Sequence, residues 1–284
     1  MTEPGKPHLR LLTYLCPDLP LSFFSLVRDV LEEATHIETE IIVEDRFTGP
    51  QVDRANPFTD NRADIVAVHS TDFLRLVAEN QADMELCPAA PVFKHSLNKD
   101  KAVYFSEIII HASNKEKYKT IADLKGCSWA YNNPLSLSGN VVILDYLKKK
   151  LKTNATFFGN IVESGSHLAS INMVKEHRVI ASGVDSIVLA EYLRDHPEDT
   201  KNVTRIASLG PLPVFPLLFN SKLSDKVKHE IVNALLTMET KPLWASRLQD
   251  VGVVKFISVT LDLFNMEKAF TDSVSGMSIN EAYY

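Results

Sequence analysis

The sequence contains no uninterrupted apolar run long enough to cross a bilayer, which excludes a long hydrophobic spanning helix. Its start, Met1-Thr-Glu-Pro-Gly-Lys-Pro-His-Leu-Arg10, is polar and lacks the apolar core of a secretion signal. There are only three cysteines, Cys16, Cys87 and Cys127, and none is in a CxxC pair. Three cysteines cannot build a full disulfide framework, so free thiols and a cytoplasmic location are expected. The sequons Asn154-Ala-Thr and Asn202-Val-Thr would matter only in a secreted chain. Excess positive charge is missing too. The formal net charge is −6, which gives no sign of a nucleic-acid surface. There is no HExxH, no cysteine-rich iron motif and no lysine marked as an aldehyde-cofactor anchor, so no cofactor and no metal are expected. Internal repeats and low-complexity tracts are also absent.

What is present is a chain of 284 residues, 45% hydrophobic, with charges of both signs. That suits one large or two medium globular domains with a substantial core. Residues 9–15 read as a first strand, broken by Pro17 and Pro20. Phe23, Val27, Val30, Leu31 and Ala34 recur at helical spacing. Residues 40–43 and 63–68 read as the next strands, with Gly49, Pro50 and Pro57 in the loop between them. Ser70 or Thr71 then caps a helix over 72–79. Strand and helix alternate, the mark of a parallel sheet with helices on its faces.

Residues 102–112 form a long β-rich run that suits a crossing between domains, and residues 121–126 a helical turn closed by Gly126. Further strands are expected over 127–131, 156–162, 179–185 and 203–209. Helices are expected from 141 to 151, over 168–174 and 186–194, and around Val227, Ile231, Leu235 and Met238. Pro213 and Pro216 stiffen a return towards 217–219. The expected division is one lobe of residues 8–107 plus 208–284 and another of 108–207.

The stretch 132–142, Asn-Asn-Pro-Leu-Ser-Leu-Ser-Gly-Asn-Val-Val, is the centre of this organisation. It places Ser136, Ser138 and Gly139 on a turn that feeds a helix N-terminus. There the first backbone N–H groups lack partners and the helix dipole is positive, so hydroxyls and amides form an anion site. The plainer alternative is that Ser138 only caps the helix. Other polar clusters fall at strand ends, where open parallel sheets bind ligands. They are Tyr14 with Cys16, the run His69-Ser70-Thr71, the run Ser164-Gly-Ser166-His167, and Asp185-Ser186. Asp185 reads equally as a helix cap. Lys148, Lys149, Lys150 and Lys152 read as a solvated helix face.

Taken in order, Pro57-Phe58, Arg62-Ala-Asp-Ile65, Tyr104-Phe-Ser106, Asp123-Leu-Lys-Gly126, Asn133-Pro-Leu-Ser-Leu-Ser-Gly139, Ser164-Gly-Ser-His167, Gly183-Val-Asp-Ser186 and the proline-rich 211–216 resemble the phosphonate/phosphate/phosphite-type substrate-binding proteins of ABC importers. The resemblance runs from about residue 9 to residue 238. It implies an α/β, two-lobed type II periplasmic-binding-protein fold that closes on a small-molecule ligand. By that resemblance Ser136, Ser138, Gly139 and Asn140 hold the anionic head of the ligand, with Leu137 in the same turn. Ser166 and His167 approach the same oxygens, and Tyr104 adds its phenol. Asp185 faces the positive end of a zwitterion, and Tyr14, His69 and Ser70 line the side of the first lobe. Leu137 stands where the family commonly has a hydroxyl residue, and Phe47 where some relatives place a tyrosine. Both shift the expectation from a dianionic phosphonate towards another small organic anion or a zwitterion. With no signal or lipid-attachment cysteine before the first strand, an ABC permease partner is not implied.

The function expected is therefore non-enzymatic binding of a small anion or zwitterion. The alternative is an enzyme on the same fold, in small-molecule metabolism, with His69, His167 and Asp185 as acid/base groups.

Overall fold

The structure, a computed structural model, describes residues 8–15, 19–44, 50, 56–79 and 82–277. The strands are β1 His8–Thr13, β2 Glu38–Val43, β3 Ile65–Ala67, β4 Met84–Leu86, β5 Ala89–Phe93, β6 Val103–His111, β7 Ser128–Tyr131, β8 Asn160–Glu163, β9 Ala181–Asp185, β10 Val203–Pro213, β11 Leu217–Asn220 and β12 Val253–Ser258. The helices are α1 Leu21–Thr35, α2 Ser70–Ala78, α3 Val142–Tyr146, α4 His167–Lys175, α5 Ser186–Asp195, α6 Asp225–Thr237, α7 Pro242–Asp250 and α8 Asn265–Val274. They fall into two compact units, Met1–Ala102 with Val214–Phe264, and Val103–Pro213 with Asn265–Tyr284.

In the first unit the sheet order is β2-β1-β3-β11-β4. β1 runs parallel to β2 and β3, while β11 is antiparallel to β3 and β4. One core cluster of this unit includes Leu12, Val66, Phe73, Leu218 and Phe264. The rings of Phe73 and Phe264 meet edge to face at 4.9 Å, a favoured aromatic geometry. Helix α1 buries Phe23, Val27, Val30 and Leu31, the stripe that its spacing predicts, and Phe23 meets Phe215 edge-on at 5.6 Å. Strands β5 and β12 pair separately as a two-stranded antiparallel ribbon.

The second unit has the order β10-β6-β9-β7-β8. β7 is parallel to β8 and β9, whereas β6 is antiparallel to β9 and β10. The chain runs β7-α3-β8-α4-β9-α5, so each parallel strand ends at the same edge and feeds a helix there. Ile109, Ala130, Ile171, Val174, Val184 and Val188 fill the space between sheet and helices. At the far end of α4, Lys175 Nζ donates to Tyr192 Oη at 2.8 Å and to Asp199 Oδ2 at 3.0 Å. Tyr192 donates to the same Asp199 oxygen at 2.5 Å.

Three expectations need correction. The boundaries lie at 102/103 and 213/214, because β6 and β10 pair from end to end, with two register shifts, and stay in one unit. The C-terminal helix α8 also belongs to the second unit, where it packs on α3 and β10. Second, residues 156–158 are not strand. Asn154 Oδ1 accepts from the Thr156 N–H at 2.9 Å and from its hydroxyl at 2.7 Å, closing a 3₁₀ turn, and the strand starts only at Asn160. Third, α2 begins at Ser70, so its cap position is His69, whose side chain makes no capping bond.

The lysines after α3 are exposed as expected; Lys149 pairs with Asp145 at 2.6 Å and Lys148 Nζ donates to the Ser273 carbonyl on α8 at 2.5 Å. Cys87 and Cys127 carry free thiols; burial pushes the Cys87 thiol up to about 12. Cys16 and Phe47 lie outside the described residues. No helix among the described residues is long and apolar enough to cross a membrane.

Candidate functional site

Beyond Tyr131, at the end of β7, the chain turns through residues 132–136 into a π-helical turn, Leu137–Val141, continuous with α3. Such wide turns leave irregular backbone where a ligand can approach. Ser136, not Ser138, is the cap: its Oγ accepts from the Gly139 N–H at 3.0 Å. The Ser136 carbonyl accepts from Asn140 and Val141, each at 3.0 Å. The amides of Gly139 and Asn140 are therefore engaged inside the turn. Those of Leu137 and Ser138, the first of the helix, have no acceptor among the described residues. Gly139 is glycine for a local reason: a Cβ there would stand 1.9 Å from Asn132 Oδ1.

With capping assigned to Ser136, the buried Ser138 hydroxyl turns to other partners. Its Oγ lies 3.3 Å from His167 Nε2. The Asp185 backbone amide, which can only donate, points at His167 Nδ1 at 3.4 Å. That assigns the ring proton to Nε2, so His167 offers a donor to Ser138. The Ser138 hydroxyl also acts on the Tyr104 phenol, drawing its pKa down. Tyr104 and Ser106 lie two apart on β6 and share a face, and Ser106 is the register partner of Asp185. Ser106 Oγ donates to the Ser138 carbonyl at 2.6 Å and so fixes the turn to the sheet. Hydroxyl, imidazole, phenol and two amides thus gather at one helix N-terminus, an arrangement suited to an anion.

Two expected residues are occupied by capping. Asp185 Oδ1 accepts from Ile187 N at 2.7 Å and Val188 N at 3.4 Å, and its side chain is fully buried. Ser166 Oγ accepts from Ala169 N at 3.0 Å at the start of α4. The negative charge of Asp185 is nonetheless felt at the site. Burial pushes the Tyr104 phenol well above its ordinary value, and the charges of Asp185 and Glu267 push it further; the Ser138 hydroxyl opposes them. Glu267, buried on α8, is the residue the sequence reading missed. Nothing in its local sequence marks it, because its burial depends on where α8 docks.

The first unit holds the remaining expected residues. Tyr14 follows β1 and is part of the hydrophobic core there. His69 is half-buried and Ser70 buried at the start of α2, beyond the end of β3. The Asp185 main chain meets His167, and its carboxylate oxygen Oδ1 caps α5. Among the described residues no group of three or more His, Cys, Asp or Glu side chains is placed to hold a metal ion.

The family model for the periplasmic phosphonate substrate-binding proteins of ABC transporters matches residues 22–264. The chain belongs to that family. As a substrate-binding protein it binds a small molecule, and nothing supports the enzyme alternative. Solved structures share its fold. A binding-protein component of an ABC phosphonate transporter from Pseudomonas aeruginosa aligns with TM-score 0.73 and 16% identity, over 95% of this chain and 88% of that one. PhnD1 from Prochlorococcus marinus, in complex with methylphosphonate, aligns with TM-score 0.70 and 12% identity, over 96% and 100%. A Xanthomonas citri protein bound to ATP aligns with TM-score 0.63 and 14% identity, over 98% and 100%. At such identities the likeness establishes the two-lobed α/β fold of type II periplasmic binding proteins. No curated protein sequence matches the chain.

Proposed function

We propose that this binding protein takes a small phosphonate-like or other organic anion, or a zwitterion, and seats its anionic head on the Ser138 turn. Ser138 Oγ, His167 Nε2–H, the Tyr104 phenol and the amides of Leu137 and Ser138 are the donors. The observation that carries the reading is the meeting of Ser138 and His167, 3.3 Å apart, beside two amides that have no acceptor among the described residues. The family and the methylphosphonate bound by its Prochlorococcus marinus neighbour suggest the ligand class. Leu137, buried in this turn, offers no side-chain donor, so fewer groups neutralise a second negative charge.

Isothermal titration with methylphosphonate tests the reading. A hydrogen bond to a charged group contributes about 1.5–3 kcal/mol, so Ser138→Ala should weaken binding by roughly tenfold or more. Folding should be little changed, because Ser136 keeps the cap. Equal affinity in a folded Ser138→Ala variant would move the anion elsewhere.

A further inference from the structure

We infer that the edge of the second unit facing away from Ser138 docks on an anionic lipid surface. The sequence concentrates positive charge there. Residues 115–152 hold eight lysines, no arginine and only three acids, in a chain whose net charge is −6. All eight lysines are exposed. Lys115, Lys117 and Lys119 follow the end of β6, and Lys125 precedes β7. Lys148, Lys149, Lys150 and Lys152 lie where the helix begun at Leu137 runs out.

The topology brings these three segments to one edge. β6 runs antiparallel to β9 and β7 runs parallel to it, so the finish of β6 and the start of β7 lie together. Ser138 and His167 follow the finishes of β7 and β8, at the other edge. The helix leaving the Ser138 turn carries its last lysines about 20 Å back across the unit. The Gly126 N–H donates to the Phe157 carbonyl at 2.8 Å, and the Gly159 N–H to the Cys127 carbonyl at 2.9 Å. These bonds tie the loop after Lys125 to the loop after Lys152.

The three acids are each committed locally. Glu116 pairs with Lys119 at 3.2 Å and Asp145 with Lys149 at 2.6 Å. Asp123 Oδ2 accepts from the Lys119 and Thr120 N–H groups at 2.9 and 2.8 Å. Lys115, Lys125, Lys150 and Lys152 make no ion pair among the described residues. Like charges gathered in this way repel one another, and an anionic surface relieves the repulsion. The kind of side chain selects the partner. Lysine is a compact point charge on a flexible stem, whereas planar recognition of a single phosphate or base favours arginine. Tyr118, Trp129, Phe157 and Phe158 are buried, so they offer no face on which nucleobases could stack. Lysines spread over three segments suit a plane of diffuse negative charge, and polybasic clusters of this size are drawn to anionic bilayers.

Co-sedimentation of the full chain with vesicles tests this, whatever the Ser138 turn binds. At low salt the wild-type protein should sediment with phosphatidylcholine vesicles that contain phosphatidylglycerol, and not with phosphatidylcholine alone. Salt at about 0.5 M should release it, because the attraction is screened. Replacing Lys115, Lys125, Lys150 and Lys152 together by Gln should weaken the partition at least tenfold, since each lysine contributes separately. A control replaces four exposed lysines of the first unit, Lys94, Lys99, Lys101 and Lys222, by Gln and should keep the partition. Thermal melts establish that both variants are folded. A wild-type protein that ignores the anionic vesicles, or that sediments equally with neutral ones, overturns the proposal without any variant. An equal loss in the control variant overturns it as well, because net charge alone would then account for the binding. Tighter binding to duplex DNA than to the vesicles, lost in the first variant, would make the partner a nucleic acid and overturn the lipid assignment.

Discussion

The backbone amide of Asp185 donates to Nδ1 of His167 at 3.4 Å, so the aspartate holds the histidine by its main chain and keeps its carboxylate for the start of α5. One residue thus sets the cap of one helix and the tautomer of the first side chain of another. The ring nitrogen facing Ser138 is left as the donor, the role an anion needs.

That assignment is open to measurement. At pH 8, where histidine is ordinarily neutral, ¹⁵N spectra of the imidazole should show His167 protonated at Nε2 and bare at Nδ1. A bare Nε2 would reverse the polarity of the Ser138 contact.

Asp185→Asn should separate the two duties of Asp185. Asparagine caps helices as well as aspartate, so unfolding free energy should change by less than about 1 kcal/mol. The variant removes one negative charge from beside Tyr104, whose phenol should then titrate at lower pH than in the wild type, though burial keeps it above the ordinary value. Tyrosine ¹³C shifts followed through a pH series, with Tyr104→Phe to assign the resonance, decide the matter. An unmoved Tyr104 would mean that Asp185 acts only as a cap.

Gly139→Ala should damage the turn. The new Cβ would stand 1.9 Å from Asn132 Oδ1 and 3.1 Å from Ser136 Oγ, and overpacking of this kind costs about 1–3 kcal/mol. Removing the obstruction with Asn132→Ala in the same chain should make the double variant less destabilised than the sum of the singles. Urea unfolding of the three variants gives the coupling, and strict additivity would count against a direct clash.

The Glu191→Gln prediction concerns pH. Burial pushes the Glu191 carboxyl up to about 7, with Arg194 opposing and Asp195 reinforcing. A carboxyl with a raised folded-state pKa favours folding below its ordinary range, and that contribution is lost as pH rises through about 7. The uncharged variant escapes that loss. Its stability relative to the wild type should therefore rise between about pH 5 and pH 8, by about 1 kcal/mol once solvent screening is allowed for. Thermal melts at the two pH values read the difference, and a constant offset would contradict it.

Much of the second unit was legible in the sequence, because β-rich runs, capping residues and helical spacing repeat there with short connections. Turn chemistry and resemblance single out Ser138 and His167, and the fold brings them within 3.3 Å of each other. The division of labour between Ser136 and Ser138 was not legible. Either serine fits a cap in the sequence, and only the early start of the helix at Leu137 decides between them. Thr156-Phe-Phe158 looked like strand because β-branched and aromatic residues favour strands, yet Asn154 captured the local backbone first. Glu267 stayed hidden for the opposite reason. Its neighbours Asn265, Met266 and Lys268 carry no motif, and its burial comes entirely from packing distant in sequence.

Helix α4 is moored at both ends. His167 stands at its start and Lys175 at its finish, where Tyr192 and Asp199 grip the ammonium. Bonds from Tyr192, Asn202 and Lys175 hold the Asp199 carboxyl down at about 2, so ordinary acidification does not slip this mooring. A nine-residue helix is a stiff rod about 13 Å long, and its bearing is fixed as firmly by its stern as by its bow. The heading of the imidazole is therefore steered from a helix length away. On the proposed reading, ligand affinity is then a property of α5 and of the chain leading into β10 as much as of the Ser138 turn.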